Sequence, residues 1–176
     1  MQDREVLPEE HRPHPDSATA IVRCAIVTVS DTRTVETDRS GQLIRQQLET
    51  AGHLLSFYTI LPDEPAQIRS LLQTLTQRSD VDAILFNGGT GIAPRDTTYD
   101  AIEQLLEKVL PGFGELFRWL SYQEIGSRAI ASRAVAGVCQ GKLVFSLPGS
   151  TNAVKLALEQ LILPELVHLV GQLRGT

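Results

Sequence analysis

The chain has 176 residues, of which 42% are hydrophobic and 21% are charged, and these values fit one globular domain with a buried core. Its formal net charge of −5 and its pI near 5.4 argue against a general affinity for nucleic acid or for an anionic membrane, because either would need a basic surface. An anionic ligand must therefore be bound by local features of a site.

The first residues and the cysteines give further limits. Residues 1–19 combine several prolines with charged residues and contain no apolar signal segment, so we predict a flexible tail followed by a single domain over residues 20–176. Cys24 and Cys139 show no disulfide or metal-binding spacing and are predicted to be reduced thiols. With no long apolar segment, the protein is predicted to be cytoplasmic.

The first half of the chain alternates between strands and helices. The nearly continuous β-branched run over residues 21–29 predicts a strand buried on both faces. A polar loop follows, and then a helix that Ser40 can cap and that ends near Gly52. Residues 54–61 predict a second strand, and Pro65 suits the first turn of the next helix.

This alternation continues and predicts the fold class. Residues 83–86 predict a third strand, and Thr98 can cap a helix that runs to Val109 and stops at residues 111–112. Residues 113–124 predict another helix. A βαβαβα order requires right-handed crossovers, so we predict an α/β fold of three layers, in which helices cover both faces of a mostly parallel sheet.

The C-terminal part is predicted to add a hairpin and a final helix. Residues 134–138 and 143–147 flank Gln140–Gly141, and this pattern predicts a hairpin turn. Residues 148–150 then open the last helix, in which Pro164 predicts a break or kink. The start of this helix, behind a glycine, is a second potential anion site.

A glycine-rich segment after the third strand gives the first indication of chemistry. Its Gly-Gly-Thr-Gly run, at 88–91, leaves backbone amides that can converge on an anion. Arg95, Asp96 and Thr97 supply groups that orient phosphates and hold a hard cation. Neither the P-loop nor the GxGxxG pattern is present, and Ser30 begins the polar loop where a dinucleotide fingerprint would stand. Alone, the run is equally typical of a sharp turn.

Two aspartates carry the mechanistic hypothesis. Asp63 and Asp96 follow strands whose carboxyl ends should meet at one edge of the sheet. If they converge, a proton or a divalent cation must separate them, and with phosphates nearby Mg²⁺ is the natural cation. Asp63 could instead cap the following helix, and Asp96 could likewise cap a helix or simply lie on a loop. Arg128, Ser132 and Arg133 could be surface residues or anion contacts.

These motifs, taken together and in this order, resemble the molybdopterin-binding family of molybdenum cofactor biosynthesis, of the MoaB/Mog type, which also includes the G domain of gephyrin. The resemblance extends from about Cys24 to Leu173. The motifs that carry it are Thr28–Asp31, Asp38–Gly41, Pro62–Glu64, Gly88–Gly91, Pro94–Asp96, Ser132–Arg133 and Leu147–Ser150.

The family resemblance implies an activity and a site. Active members use ATP and Mg²⁺ to adenylylate molybdopterin with release of pyrophosphate, and the product then accepts molybdate. By motif, Asp63 and Asp96 match the acidic residues placed around metal and phosphates, and are the predicted catalytic and metal-binding pair. The residues predicted to bind substrate or nucleotide are Ser30, Asp31, Gly88, Gly89, Thr90, Gly91, Arg95, Thr97, Ser132, Arg133, Pro148, Gly149 and Ser150.

The resemblance also implies partners and leaves one alternative open. Family members assemble as homotrimers or homohexamers, and a molybdate-inserting enzyme could be a further partner. Residues 112–118 and 121–126 are similar to MoaB-type members, some of which lack the two aspartates. A non-catalytic molybdopterin-binding or scaffold protein is therefore the alternative to an adenylyltransferase.

Overall fold

The computed structural model describes residues 20–175, so the predicted tail over residues 1–19 lies outside the described residues. The described part forms one six-stranded sheet with helices on both faces. The strands are β1 (Arg23–Val29), β2 (Leu54–Leu61), β3 (Ala83–Asn87), β4 (Lys108–Val109), β5 (Val135–Cys139) and β6 (Lys142–Leu147). The helices are α1 (Arg39–Thr50), α2 (Pro65–Thr76), α3 (Thr98–Glu103), α4 (Pro111–Ile125), α5 (Thr151–Ala157) and α6 (Leu163–Arg174).

The order of the strands determines where a ligand can bind. Across the sheet the order is β2-β1-β3-β6-β5-β4, with β2, β1, β3 and β6 parallel and β5 and β4 antiparallel. The chain moves outward from β1 to β2 and then crosses back to β3, so the strand order reverses between β1 and β3. A crevice at their carboxyl ends is the expected ligand site of such a sheet. The predicted α/β fold is confirmed.

Apolar residues on both faces explain why the central strands are continuous hydrophobic runs. Ile26 and Leu85 face the core under α1, α4, α5 and α6. Val27 and Phe86 face the second core, under α2 and α3. All four side chains are fully buried. The two layers of helices therefore bury both faces of the sheet. The loops at its carboxyl edge follow these buried strands directly.

Three sequence predictions about helix ends are wrong. The N-cap of α3 is Thr97, without a side-chain capping bond, and Thr98 is the first residue inside that helix. The N-cap of α1 is Asp38, whose carboxylate accepts the Gly41 amide at 3.0 Å, while Ser40 lies inside the helix. Helix α3 ends at Glu103 and not at Val109, because Lys108–Val109 pair with β5 as the short strand β4. Pairing with a neighbouring strand has overridden the helical spacing of the leucines.

The predicted hairpin is confirmed, with positive φ angles of 47° at Gln140 and 75° at Gly141 between β5 and β6. The predicted irregularity near Pro164 takes the form of a π-helical segment, Leu158–Ile162, which joins α5 to α6. Among residues 20–175 no helix has the length and apolar character required to cross a bilayer.

Candidate functional site

The carboxyl ends of the four parallel strands bring four loops together. The Ser30 amide donates to the carbonyl of Leu61 at 2.8 Å, joining the loops after β1 and β2. The Gly88 amide donates to the carbonyl of Leu147 at 3.0 Å, joining the loops after β3 and β6. Gly149 packs so closely on the glycine loop that a Cβ there would lie 3.1 Å from the Cα of Gly88. These loops therefore lie next to one another at the carboxyl edge of the sheet, where the sequence predicts that the polar loops could share a crevice.

Asp63 connects the loop after β2 to the glycine loop. Its side chain is almost fully buried, with 5% of the residue exposed. Oδ1 accepts hydrogen bonds from the Thr97 hydroxyl at 2.6 Å, the Thr97 amide at 3.2 Å and the Thr98 hydroxyl at 3.3 Å. The N-cap of α2 is Glu64, without a side-chain capping bond. The alternative that Asp63 caps this helix is therefore wrong.

The glycines of the loop allow other protein groups to approach closely. Gly88 and Gly89 have positive φ angles of 105° and 62°, which side chains rarely adopt. A Cβ on Gly88 would overlap the carbonyl oxygen of Val29, and one on Gly89 would overlap the Asp63 carboxylate and the Thr98 hydroxyl. The glycines thus make room for the end of β1 and for Asp63. This is a second reason for glycine at these positions, besides the predicted exposure of backbone amides to an anion.

Asp96 lies at the far end of the same loop. Its Oδ2 accepts the Ala93 amide at 3.1 Å and is adjacent to Gly91, so the half-buried carboxylate closes a local turn. The next residue, Thr97, donates to Asp63. Asp63 therefore contacts the residue that directly follows Asp96. Within the described part of the chain, no group of three or more His, Cys, Asp or Glu residues is arranged to hold a metal ion.

Arg95 joins the glycine loop to the loops after β1 and β2. Its guanidinium donates to Asp31 at 2.9 and 3.1 Å and to Glu64 at 2.7 Å. The hydrogen bond from Arg95 is the main cause that lowers the pKa of Asp31, and the Asp63 amide, which donates to Asp31 at 3.0 Å, acts in the same direction. Asp31 and Arg95 therefore brace the backbone around Asp63.

Arg133 reaches the glycine loop from the segment before β5. Its guanidinium donates to the carbonyl of Gly91 at 3.2 Å and to Asp100 at 2.5 Å, and it lies over the ring of Tyr99 at 4.1 Å from the centroid. Three contacts hold this cation in place beside the loop. Ser132 lines the neighbouring cavity.

Two cavities flank the glycine loop and meet at Gly91, Asp96 and Arg133. The first, of about 430 Å³, lies between the glycine loop and the 148–150 loop, which is followed by α5 with Ser150 as its N-cap. The second, of about 450 Å³, lies on the α2 and α3 side. Each has the volume of a small-molecule site.

Ser30 and Asp31 line a third, more peripheral cavity of about 640 Å³. The Ser30 hydroxyl accepts the amides of Thr32 and Arg33 at 3.2 and 3.1 Å and so shapes its own loop. Thr90 is buried within the glycine loop. The predicted residues therefore do not all line one cavity: Ser30 and Asp31 line the third cavity, and Asp63, Gly88 and Arg95 line none of these three.

Comparison with known proteins places this geometry in a family. Residues 25–168 match the family model described as a probable molybdopterin binding domain. The chain belongs to this family. It is 55% identical over 166 residues to molybdenum cofactor biosynthesis protein B of Halalkalibacterium halodurans, a match that covers 94% of this chain and 96% of the relative.

Solved structures place the chain among the MoaB-type members of the molybdopterin-binding family. A crystal structure of a molybdenum cofactor biosynthesis protein B superposes with a TM-score of 0.87 at 51% identity, covering 89% of this chain and 98% of that one. The molybdopterin biosynthesis enzyme MoaB from Thermus thermophilus superposes with a TM-score of 0.78 at 37% identity, covering 89% and 98%. The predicted MoaB/Mog resemblance is confirmed.

Sequence reasoning missed several polar residues of this MoaB-type crevice. Glu64 and Asp100 hold Arg95 and Arg133, and each lies within or beside a motif that was recognised for another residue. Glu124 and Arg128 line the first cavity, from α4 and the 3₁₀ segment that follows it. The helical pattern around Glu124 gave no signal, whereas Arg128 was predicted, with Ser132 and Arg133, to be a surface residue or an anion contact.

Proposed function

We propose that this chain adenylylates molybdopterin with Mg²⁺ and ATP during molybdenum cofactor biosynthesis. The observation that carries the proposal is the position of the glycine loop, which bears Asp96, contacts Asp63 and separates two adjoining cavities. A transfer between two substrates needs such neighbouring sites. The relatives named for molybdenum cofactor biosynthesis support the same pathway.

Asp63 and Asp96 are the residues that would hold a magnesium ion shared with phosphates. On Asp63, Oδ1 accepts the short hydrogen bond, whereas Oδ2 receives only the Thr97 amide at 3.3 Å and keeps lone pairs for a ligand. Mg²⁺ is commonly held by one or two carboxylates together with substrate phosphates. When bound at Asp63 and Asp96, Mg²⁺ would neutralise phosphate charge.

The reaction needs no nucleophile from the protein. An oxygen of the terminal phosphate of molybdopterin attacks the α-phosphorus of ATP, the bond from that phosphorus to the bridging oxygen breaks, and pyrophosphate leaves with the electron pair. The amides of residues 88–91 would face the phosphates, and residues 148–150 would line the nucleotide side. Ser132 and Arg133 would hold the pterin; Arg133 borders both cavities, whereas Ser132 lines the first cavity together with residues 148–150.

We further propose that the chain assembles as a homotrimer or homohexamer and hands its product to a molybdate-inserting enzyme. Large apolar side chains on α4 remain exposed, including Leu116 at 52%, Trp119 at 60% and Tyr122 at 58%. An apolar surface of this kind is typical of a contact between subunits.

Incubation of the purified chain with ATP, Mg²⁺ and molybdopterin tests the proposed activity. We expect adenylylated pterin and pyrophosphate from the wild type, and a loss of product in Asp96→Asn, which keeps the size of the side chain. Wild-type turnover in Asp96→Asn would remove this residue from the mechanism. Calorimetric binding of molybdopterin without any ATP-dependent product would instead support the alternative, a non-catalytic molybdopterin-binding or scaffold protein.

A further inference from the structure

A buried polar network centred on Asp38 connects three of the parallel strands beneath the crevice. Asp38 is fully buried and accepts the Thr28 hydroxyl of β1 at 2.5 Å and the Tyr58 hydroxyl of β2 at 2.8 Å. The side-chain amide of Asn87, at the end of β3, donates to Thr28 at 2.9 Å. With the Gly41 amide at 3.0 Å as a further donor, both oxygens of Asp38 are occupied.

Arg33 extends this network to the loop after β6. One guanidinium nitrogen lies 3.4 Å from Asp38 and 3.2 Å from the hydroxyl of Ser40. The other donates to the carbonyl of Gly149 at 2.9 Å, and the Ser40 hydroxyl donates to the same carbonyl at 2.7 Å. Since Gly149 packs against Gly88, the network ends at the contact between the two loops that border the first cavity.

The network is better suited to fixing the positions of loops than to stabilising the fold. The Arg33 side chain is 30% exposed whereas Asp38 is fully buried. Burying a carboxylate in such a pair rarely adds net stability over well-packed apolar residues, so we explain the network by the arrangement that it fixes. Burial and the hydrogen bond to Asp38 raise the pKa of Tyr58, which keeps its hydroxyl a donor at neutral pH. Asp38 itself lines neither of the two cavities that flank the glycine loop. Its effect on bound ligands must pass through Arg33 and Gly149.

We propose that Arg33, held by Asp38, is a positioning residue that fixes the 148–150 loop against the glycine loop. The planar guanidinium bridges the carboxylate and the Gly149 carbonyl, a geometry that a lysine ammonium cannot reproduce. The fixed loop sets the width of the first cavity. The consequence for catalysis rests on the proposed adenylylation, whereas the consequence for the loop does not.

Hydrogen–deuterium exchange of the ligand-free full-length chain tests the positioning without any assumption about activity. We expect Arg33→Ala to speed amide exchange in peptides over residues 147–153 by about 10- to 100-fold, as the loss of a hydrogen bond from a charged donor implies. Exchange in the distant hairpin over residues 139–143 should stay unchanged. The matched control is Arg39→Ala, which removes the same charge from an exposed position in the first turn of α1. Unchanged exchange over residues 147–153 in Arg33→Ala would overturn the proposal.

Steady-state kinetics test what the fixed loop does. If the wild type forms adenylylated pterin, Arg33→Ala should lower kcat/KM for ATP by about 10- to 100-fold, because small displacements of substrate carry penalties of that order. Arg33→Lys should restore neither the exchange nor kcat/KM. Restoration by lysine would contradict positioning by the guanidinium, and normal kinetics in an Arg33→Ala protein with a loosened loop would remove the loop from the site. An inactive wild type would count against the proposed adenylylation alone, and the exchange result would still decide the role of Arg33.

Discussion

Replacement of Asp63 separates the structural and the ligand-binding roles of its carboxylate. In Asp63→Asn the carbonyl oxygen can keep the bonds from Thr97 and Thr98, but these bonds lose the assistance of the negative charge. Charge-assisted hydrogen bonds exceed neutral ones by roughly a factor of two, so we expect a loss of about 1–2 kcal/mol in the free energy of unfolding. For a chain of this length, that corresponds to a Tm lower by about 2–8 °C.

Asp63→Ala should have a larger effect on stability. It leaves the fully buried Thr98 hydroxyl and the Thr97 donors without their acceptor, and unpaired buried donors cost about 1–3 kcal/mol each. We therefore expect a loss of about 3 kcal/mol or more. Urea denaturation monitored by circular dichroism measures both variants, and the midpoints should fall in the order wild type, Asp63→Asn, Asp63→Ala.

Calorimetry with Mg-ATP then measures the ligand-binding role of Asp63. Asp63→Asn should bind Mg-ATP at least tenfold more weakly than the wild type, although it folds. Asp82→Asn is the matched control, because Asp82 is also buried and paired, with Arg23 and Arg174, but lies at the opposite end of β3. It should lose stability and bind Mg-ATP normally. Equal binding by Asp63→Asn and the wild type would refute the assignment of Asp63 to the metal site.

Three further predictions concern the glycine loop, the outer ion pair and a buried thiol. Gly89→Ala should destabilise the fold more than Gly141→Ala, as measured by urea denaturation, because both positions have positive φ but a Cβ overlaps neighbouring groups only at Gly89; equal losses would contradict this. Arg95→Ala should raise the pKa of Asp31 in an NMR titration. Because the pKa of Asp31 is lowered in the fold, the Asp31–Arg95 pair stabilises the folded state above about pH 4, and this contribution disappears as the pH falls below that value. The free energies of unfolding of wild type and variant should therefore converge in acid. Burial raises the pKa of Cys24 to about 12, so a thiol reagent at mildly alkaline pH should label it only after unfolding; rapid native labelling would show that the strand is accessible.

The parallel course of the first three strands was predictable because the sequence signals for it are local. Each central strand is a continuous apolar run between turn residues. An amphipathic helix follows each strand, and the connection through such a helix to the next parallel strand is right-handed. Those rules placed the loops after residues 29, 61 and 87 at one edge. The proximity of Asp63 to the glycine loop follows directly from this topology.

The helix ends and the side-chain partners depended on tertiary contacts instead. Asp38 and Ser40 can both cap a helix, and Asp38 is the cap in a fold where Thr28 and Tyr58 also donate to it. The partners of Arg95 depend on the directions of side chains in three loops. Such directions follow no periodicity, so the sequence indicated the composition of the crevice but not which groups already pair with one another.

The transfer of label from ATP to molybdopterin tests the proposed function most directly. With Mg²⁺, wild-type protein and ATP labelled at the α-phosphate, we predict that the label enters the pterin product, while label at the γ-phosphate leaves in pyrophosphate. Transfer of the γ-phosphate to the pterin, or no transfer of either label by a folded protein that binds both substrates, would contradict adenylylation.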